Sequence, residues 1–186
     1  HNDLYQINMA ESYWNDGIHE RLAVFDLYFR NMPFDSGYAV FNGLKRVIEY
    51  INQFHFSESD IEYLKSIGYQ EDFLSYLKDL KFTGNIRSMH EGELCFGNEP
   101  LMRVEAPLIQ AQLIETMLLN IVNFHTLITT KASRIRQVAL DDMLMEFGTR
   151  RAQEAGAALW GARASYIGGF NSTSNVRAGK LFGIPV

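Results

Sequence analysis

A single cysteine, Cys95, stands among 186 residues, so the chain can close no disulfide within itself. There is no CxxC and no cysteine–histidine cluster spaced for zinc, and a reducing cytoplasm is the expected setting. Long uninterrupted apolar runs are also missing. The most apolar stretch, 108–130, is broken by Gln110, Gln112, Glu115, Asn120, Asn123 and His125, each costly in hydrocarbon, and it reads as a buried helix. The opening HNDLYQINMAESYW has no basic start, apolar run or small-residue cleavage site, so no secretory signal is expected there. Positive charge is in deficit: 17 Lys and Arg against 22 Asp and Glu leave a net −5, which argues against a broad nucleic-acid footprint but allows a local basic site. No Pro- and Ser-rich linker, internal repeat or charge block interrupts the text. The absence of a Walker loop, GxGxxG, GxSxG or HExxH removes support from the common nucleotide-binding and hydrolase readings.

What is present is a globular composition, 47% hydrophobic and 21% charged, long enough to bury a core. Asn2 and Asp3 can cap a helix through Leu4, Ile7, Met9 and Tyr13 that stops near Gly17. LAVFDLYF, 22–29, reads as a strand, and Val40, Leu44, Val47, Ile48 and Ile51 recur at helical spacing. SESD, 57–60, carries the capping chemistry that opens another helix. Between Phe82 and Val104, short β-like runs broken by HEGE and FGNEP predict hairpins.

Residues 1–107 are therefore expected to form an α+β amino-terminal domain, and 108–140 a connecting helical region. From 141 to 186 the text alternates MLMEF, RRAQEAGAALWGARA, SYIGGF, NVRAGKLFG and IPV, a βαβαβ order that predicts parallel strands. The chain starts at His1 and stops on an apolar run like the opening of a strand, so it is expected to be the front of a longer protein.

In α/β architectures ligands gather at the carboxyl ends of parallel strands, where loops expose unpaired backbone N–H groups. Two such junctions are expected. In EFGTRR the strand ends at Phe147, Gly148 permits close backbone approach, and Arg150 and Arg151 fall in the first turn of a helix, poorly placed for its dipole unless an anion sits there. The alternative is surface pairing with Glu146, Glu154 or Asp142. In GGFNSTSN two glycines end a strand, and Ser172, Thr173, Ser174 and Asn175 either meet a ligand or cap the next helix. Asp141 and Asp142 precede the strand, on the side away from the usual site, which favours a solvated turn over a metal site. His125 is expected to be a satisfied buried histidine and Cys95 a strand residue.

Four runs, DLYQINMAESYW (3–14), FRNMPFDSGYAVFNGL (29–44), NEPLMRVEAPL (98–108) and EFGTRRAQEAGAALWGARASYIGGFNSTSNVRAGKLFGIPV (146–186), together resemble the bacterial nicotinate phosphoribosyltransferases over the whole chain. The resemblance implies that nicotinate displaces pyrophosphate from phosphoribosyl pyrophosphate to give nicotinate mononucleotide, coupled to ATP hydrolysis, in NAD biosynthesis. It implies Mg2+ with the pyrophosphate, and a homodimer with shared active sites. The fold it implies is an α+β amino-terminal domain followed by the first strands and helices of an irregular α/β barrel, as in type II phosphoribosyltransferases.

Residue by residue, the resemblance makes Tyr5 the aromatic that reaches the pyridine ring from the partner subunit, with Phe147 its stacking counterpart. Arg150 matches the arginine that holds a phosphate, with Arg151 assisting. Asn175 corresponds to the place where nicotinamide-using relatives carry an aspartate, although Ser174 or Thr173 could occupy it instead. No catalytic residue is assigned within the chain. The family's GTxAHS segment with its phosphorylated histidine is expected beyond Val186, neither His90 nor His125 matches it, and the 186 residues alone are expected to be inactive. Competing readings are nicotinamide or quinolinate phosphoribosyl transfer, a non-catalytic dimerising relative, and an anion-binding module indifferent to pyridines.

Overall fold

The computed structural model describes His1–Val186, and the chain divides into two compact units. The first comprises His1–Leu27, Lys45–Ser88 and Met102–Asn120. Its helices are α1 (Leu4–Asn15), α2 (Leu44–Asn52), α3 (Glu58–Ser66) and α4 (Glu71–Asp79), and its strands are β1 (Leu22–Leu27), β3 (Asn85–Ser88) and β5 (Met102–Pro107). Helix α5 (Leu108–Ala139) belongs to this unit as far as Asn120.

Local chemistry accounts for the helix starts. Asp3 is the N-cap of α1, and Gln6 Oε1 accepts from the Asp3 backbone N–H at 3.2 Å, closing a capping box. Ser57 does the same for α3, its hydroxyl accepting from the Asp60 N–H while the Asp60 carboxylate accepts from the Ser57 N–H. The apolar faces converge on one core in which Ala10, Phe73, Leu77, Ile109 and Leu113 have no exposed surface. The sheet has order β1-β5-β3 and is antiparallel throughout, with β5 central. Its alternation is the expected one: Met102, Val104 and Ala106 are buried, while Arg103 points outward to a bidentate pair with Asp26 at 2.7 and 2.8 Å.

The second unit comprises Tyr28–Leu44, Met89–Leu101 and Ile121–Val186. It contains the antiparallel pair β2 (Ala39–Val40) and β4 (Leu94–Cys95), the remainder of α5, helices α6 (Ala155–Ile167) and α7 (Val176–Phe182), and a parallel pair, β6 (Met145–Glu146) with β7 (Ser172–Thr173). A seam of buried threonines on α5 satisfies polar groups that would otherwise be stranded. Thr130 Oγ1 accepts from the Val40 N–H at 2.9 Å, Thr126 Oγ1 from the Asn42 N–H at 3.2 Å, and Thr129 Oγ1 from Asn42 Nδ2 at 2.7 Å while donating to the Ala164 carbonyl at 3.1 Å. No helix is long and apolar enough to cross a membrane.

Several expectations are borne out. The helix that fills 108–139, the α1 and α3 caps, the β-like runs of 82–104 and the parallel pairing in the tail are all present. His125 is buried, with Nδ1 2.7 Å from the Ile121 carbonyl, and Cys95 is a buried residue of β4 whose thiol is pushed up to about 11 by burial.

Other expectations are corrected. Val40 lies in β2, since the helix begins only at Leu44, after Gly43 turns the chain with φ +115°. SYIGGF is not a strand: Ser165–Ile167 continue α6, because Ala162, Ala164 and Ser165 lie on its buried face, and Gly168 and Gly169 end a helix. The strand is displaced to Ser172–Thr173. The closing IPV forms no strand, although the Pro185 carbonyl accepts from the Thr173 N–H at 2.9 Å.

Candidate functional site

In the second unit the short parallel strands β6 and β7 end side by side. Met145 faces Ser172, Glu146 faces Thr173, and the Ser174 N–H continues the ladder to the Glu146 carbonyl at 2.9 Å. Parallel pairing brings two carboxyl-terminal loops together, one after Glu146 and one after Thr173. The first loop holds Phe147, Gly148, Thr149, Arg150 and Arg151, and the second Ser174 and Asn175. The chain thus places four of the five sequence-derived site residues, Phe147, Arg150, Arg151 and Asn175, on adjoining strand ends.

Phe147 is 65% exposed, so its ring is open to a flat partner. Arg150 and Arg151 are not in the first turn of α6. They occupy a separate 3-10 turn, Thr149–Arg151, and α6 begins only at Ala155 after Glu154 adopts φ +85°. The helix-dipole conflict expected for them therefore does not arise. Neither arginine takes part in an ion pair, and two of the three acids weighed as their partners, Glu146 and Glu154, accept hydrogen bonds from other groups. Glu154 Oε2 accepts from the Gly156 N–H at 2.8 Å as the N-cap of α6, and Glu146 binds backbone and hydroxyl donors. Two exposed guanidinium groups without counter-charge, beside a loop of strand-end amides, suit an anion.

The Glu146 carboxylate is a feature that sequence reasoning weighed only as a surface partner. One oxygen accepts from the Gly148 N–H and the other from Thr173 Oγ1 at 2.7 Å. Thr173, fully buried, in turn accepts on Oγ1 from the Asn175 N–H at 3.0 Å. A Cβ on Gly148 would lie 2.6 Å from Glu146 Oε1, so a side chain there would evict the carboxylate. The available signal was the Glu-x-Gly spacing itself: a carboxylate two residues before a backbone with no Cβ.

Asn175 is the N-cap of α7, Oδ1 accepting from the Ala178 N–H at 3.0 Å. Capping is thus one role of this residue, and it leaves the Nδ2 donors for another partner. Of the two alternatives for its position, Thr173 is fully buried with its hydroxyl committed, while Ser174 is exposed.

Tyr5 belongs to the first unit. It is 47% exposed, and its hydroxyl donates to Glu115 Oε2 at 3.1 Å, an oxygen that also accepts from Gln112 Nε2 at 3.0 Å. Desolvation, then the Glu115 charge, raise the phenol above its ordinary value, so the hydroxyl stays protonated. The DLYQ motif is thereby explained locally: Asp3 caps, Gln6 is buried, and Tyr5 between them is held by its tip with ring surface open.

Asp141 and Asp142 are exposed and precede β6, the Asp142 carbonyl accepting from Arg136 at 2.8 Å. A second feature not read from the sequence is the nearly buried pair of Arg163 on α6 with Glu91, Nη2 to Oε2 2.5 Å, whose other oxygen accepts from the Gly43 N–H at 3.1 Å. It anchors the HEGE turn to α6 within the second unit.

Comparison with known proteins gives these loops a context. The family model described as the nicotinate phosphoribosyltransferase (NAPRTase) N-terminal domain matches residues 1–123. A nicotinate phosphoribosyltransferase of Bacillus subtilis is 65% identical over 187 residues, covering 100% of this chain and 38% of the relative. The crystal structure of human nicotinic acid phosphoribosyltransferase superposes with TM-score 0.94 at 38% identity, covering 99% of this chain and 38% of that one. A nicotinate-nucleotide pyrophosphorylase of Pyrococcus furiosus shares the fold, with TM-score 0.78 at 20% identity. The chain therefore spans well under half the length of these relatives. By family model, by identity along its whole length and by fold, the chain belongs to the nicotinate phosphoribosyltransferase family.

Proposed function

We propose that the protein carrying this chain is a nicotinate phosphoribosyltransferase, forming nicotinate mononucleotide and pyrophosphate from nicotinate and phosphoribosyl pyrophosphate in NAD biosynthesis, with ATP hydrolysis coupled to turnover. The observation that carries this reading is the 65% identity to the Bacillus subtilis enzyme across the entire chain, strand-end loops included. The β6–β7 pair is then the opening of an irregular α/β barrel, and the protein works as a cytoplasmic homodimer with shared active sites.

In this reaction the pyridine nitrogen attacks the anomeric carbon as pyrophosphate leaves, and the sugar becomes cation-like. A site for it must hold departing phosphate charge and aim a flat ring. Arg150, assisted by Arg151, grips a phosphate of the donor or product, which their lack of ion pairs leaves them free to do. Phe147 stacks on the pyridine, and Tyr5 is contributed to that ring by the partner subunit, its position stabilised by Glu115. Asn175 offers amide donors to the nicotinate carboxylate where an aspartate would repel it.

The residues of this chain build no dedicated cage for Mg2+. The carboxylates beside the two loops, Glu146 and Glu154, accept hydrogen bonds from the protein, and no group of three metal-ligating side chains forms. Mg2+ would come with the pyrophosphate of the donor, and no role of these side chains depends on it.

The test is product formation by the full natural reading frame with phosphoribosyl pyrophosphate, Mg2+, ATP and either nicotinate or nicotinamide. Nicotinate mononucleotide, made faster with ATP, is the expected outcome. Preference for nicotinamide, or no product from either pyridine, would overturn the proposal.

A further inference from the structure

We infer that Glu146 is a positioning residue that sets the phosphate-gripping loop and the pyridine-recognising loop together, so that neither can be displaced without the other. This rests on the function proposed above for the two loops. The path is continuous: Gly148 N–H to one Glu146 oxygen, Thr173 Oγ1 to the other at 2.7 Å, Asn175 N–H to Thr173 Oγ1 at 3.0 Å. The Ser174 N–H bonded to the Glu146 carbonyl at 2.9 Å closes the link along the backbone. On one side Gly148 begins the turn that carries Arg150, its carbonyl accepting from the Arg151 and Ala152 N–H groups at 2.8 and 3.0 Å. On the other side Asn175 begins α7.

An ionised carboxylate suits this place because it is acceptor-only at both oxygens, and both of its partners donate. Glutamine in the same position could accept from Gly148 but would turn an amide N–H toward a threonine oxygen that already accepts from Asn175. The Thr173 hydroxyl would then carry a proton with no acceptor in a fully buried site. The residue need touch neither substrate. It acts through Arg150 and Asn175, and small displacements of such groups lose much of the gain from orientation.

In the full-length protein, Glu146→Gln is expected to lower kcat/KM about 10- to 100-fold, with KM raised for both nicotinate and phosphoribosyl pyrophosphate. Thr173→Val should do the same, Thr173→Ser should stay near the parent, and the double variant should be no worse than the poorer single one, as for two members of one unit. A merely structural glutamate would lower thermal stability and leave both KM values unchanged. That outcome, a change confined to one substrate, or additive losses in the double variant would overturn the inference. Amide hydrogen exchange separates this from the functional reading: in Thr173→Val, exchange should rise at Gly148 as well as at Asn175, whatever the substrate. A rise at Asn175 alone would refute the link even if the parent makes nicotinate mononucleotide, and a parent that makes none would refute the function without touching the exchange result.

Discussion

In the proposed function Asn175 divides its side chain between two tasks, with Oδ1 spent on the α7 cap and Nδ2 left to donate. Aspartate caps a helix as well as asparagine does, so Asn175→Asp changes the second task while sparing the first. The expected outcome is stability within about 0.5 kcal/mol of the parent, as at a site where both residues cap well. The ratio of kcat/KM for nicotinamide over nicotinate should rise by at least about tenfold, the size of one charge-assisted hydrogen bond gained, with the added repulsion of the carboxylate acting in the same direction. Steady-state kinetics with both pyridines would check it, and an unchanged ratio would remove Asn175 from acid recognition. At this scale the sequence was informative where a side chain acts on its own backbone: Asp3, Ser57 and Asn175 are caps whose partners lie within three residues. It was silent on Arg163 with Glu91, because their meeting crosses 72 positions.

Among elements, α6 shows how packing overrides local preference. Tyr166 and Ile167 favour strands, yet they finish a helix whose buried face carries Ala158, Ala162 and Ala164. The helix ends where close approach demands glycine: a Cβ on Gly168 would sit 2.5 Å from Ala132 Cβ and 2.6 Å from the Thr129 carbonyl. Gly168→Ala is therefore expected to push α6 off this stretch of α5 and destabilise the chain by about 1–3 kcal/mol, the cost of overpacking. At about 2–4 °C per kcal/mol for a chain of this length, thermal unfolding followed by circular dichroism should show a melting temperature several degrees lower. A melting temperature equal to the parent's would mean that the helices part without cost. The same element explains why Arg150 and Arg151 were expected in a first helical turn. The segment RRAQEAGAALW is rich in helix formers, and the extended backbone of Ala152 together with the positive φ of Glu154, whose side chain accepts from the Gly156 N–H, separates the arginines from α6.

Across the whole molecule the acidic side chains set the response to pH. Hydrogen bonding from Arg103 holds Asp26 below the ordinary 3.8, and the Ser57 hydroxyl and N–H do the same for Asp60. Lys65 lowers Glu71, and the His90 N–H lowers Glu93. A group depressed in the fold stabilises it above its unfolded value, and that contribution is lost as pH falls through the lower folded value. Stability should hold down to the ordinary carboxylate range and drop below it. Asp26→Asn should be less stable than the parent at neutral pH, with the difference vanishing in acid. At the alkaline end the Tyr50 phenol, raised by burial to about 12, favours the fold below 10, and that contribution is lost as pH climbs through about 12. Denaturant unfolding across the pH range would test both limbs, and a stability that rose on acidification would contradict the assignment.

The sequence by itself determined what short-range chemistry can encode. Capped helix starts, the antiparallel alternation of Met102, Val104 and Ala106, the long apolar helix of 108–139 and the parallel order of the tail depend on neighbours a few residues away or on periodicity along one element. The sequence motifs were also enough to indicate the family. Only the tertiary structure decided which groups meet across the chain. Packing carried α6 through a strand-like text, and pairing of β6 with β7 set Arg150 and Asn175 on adjoining ends. That pairing also allowed one carboxylate, Glu146, to bind donors from both loops. Hydrogen bonds between residues 27 positions apart leave no periodic trace, because the partner is chosen by the register of two strands and not by spacing along one.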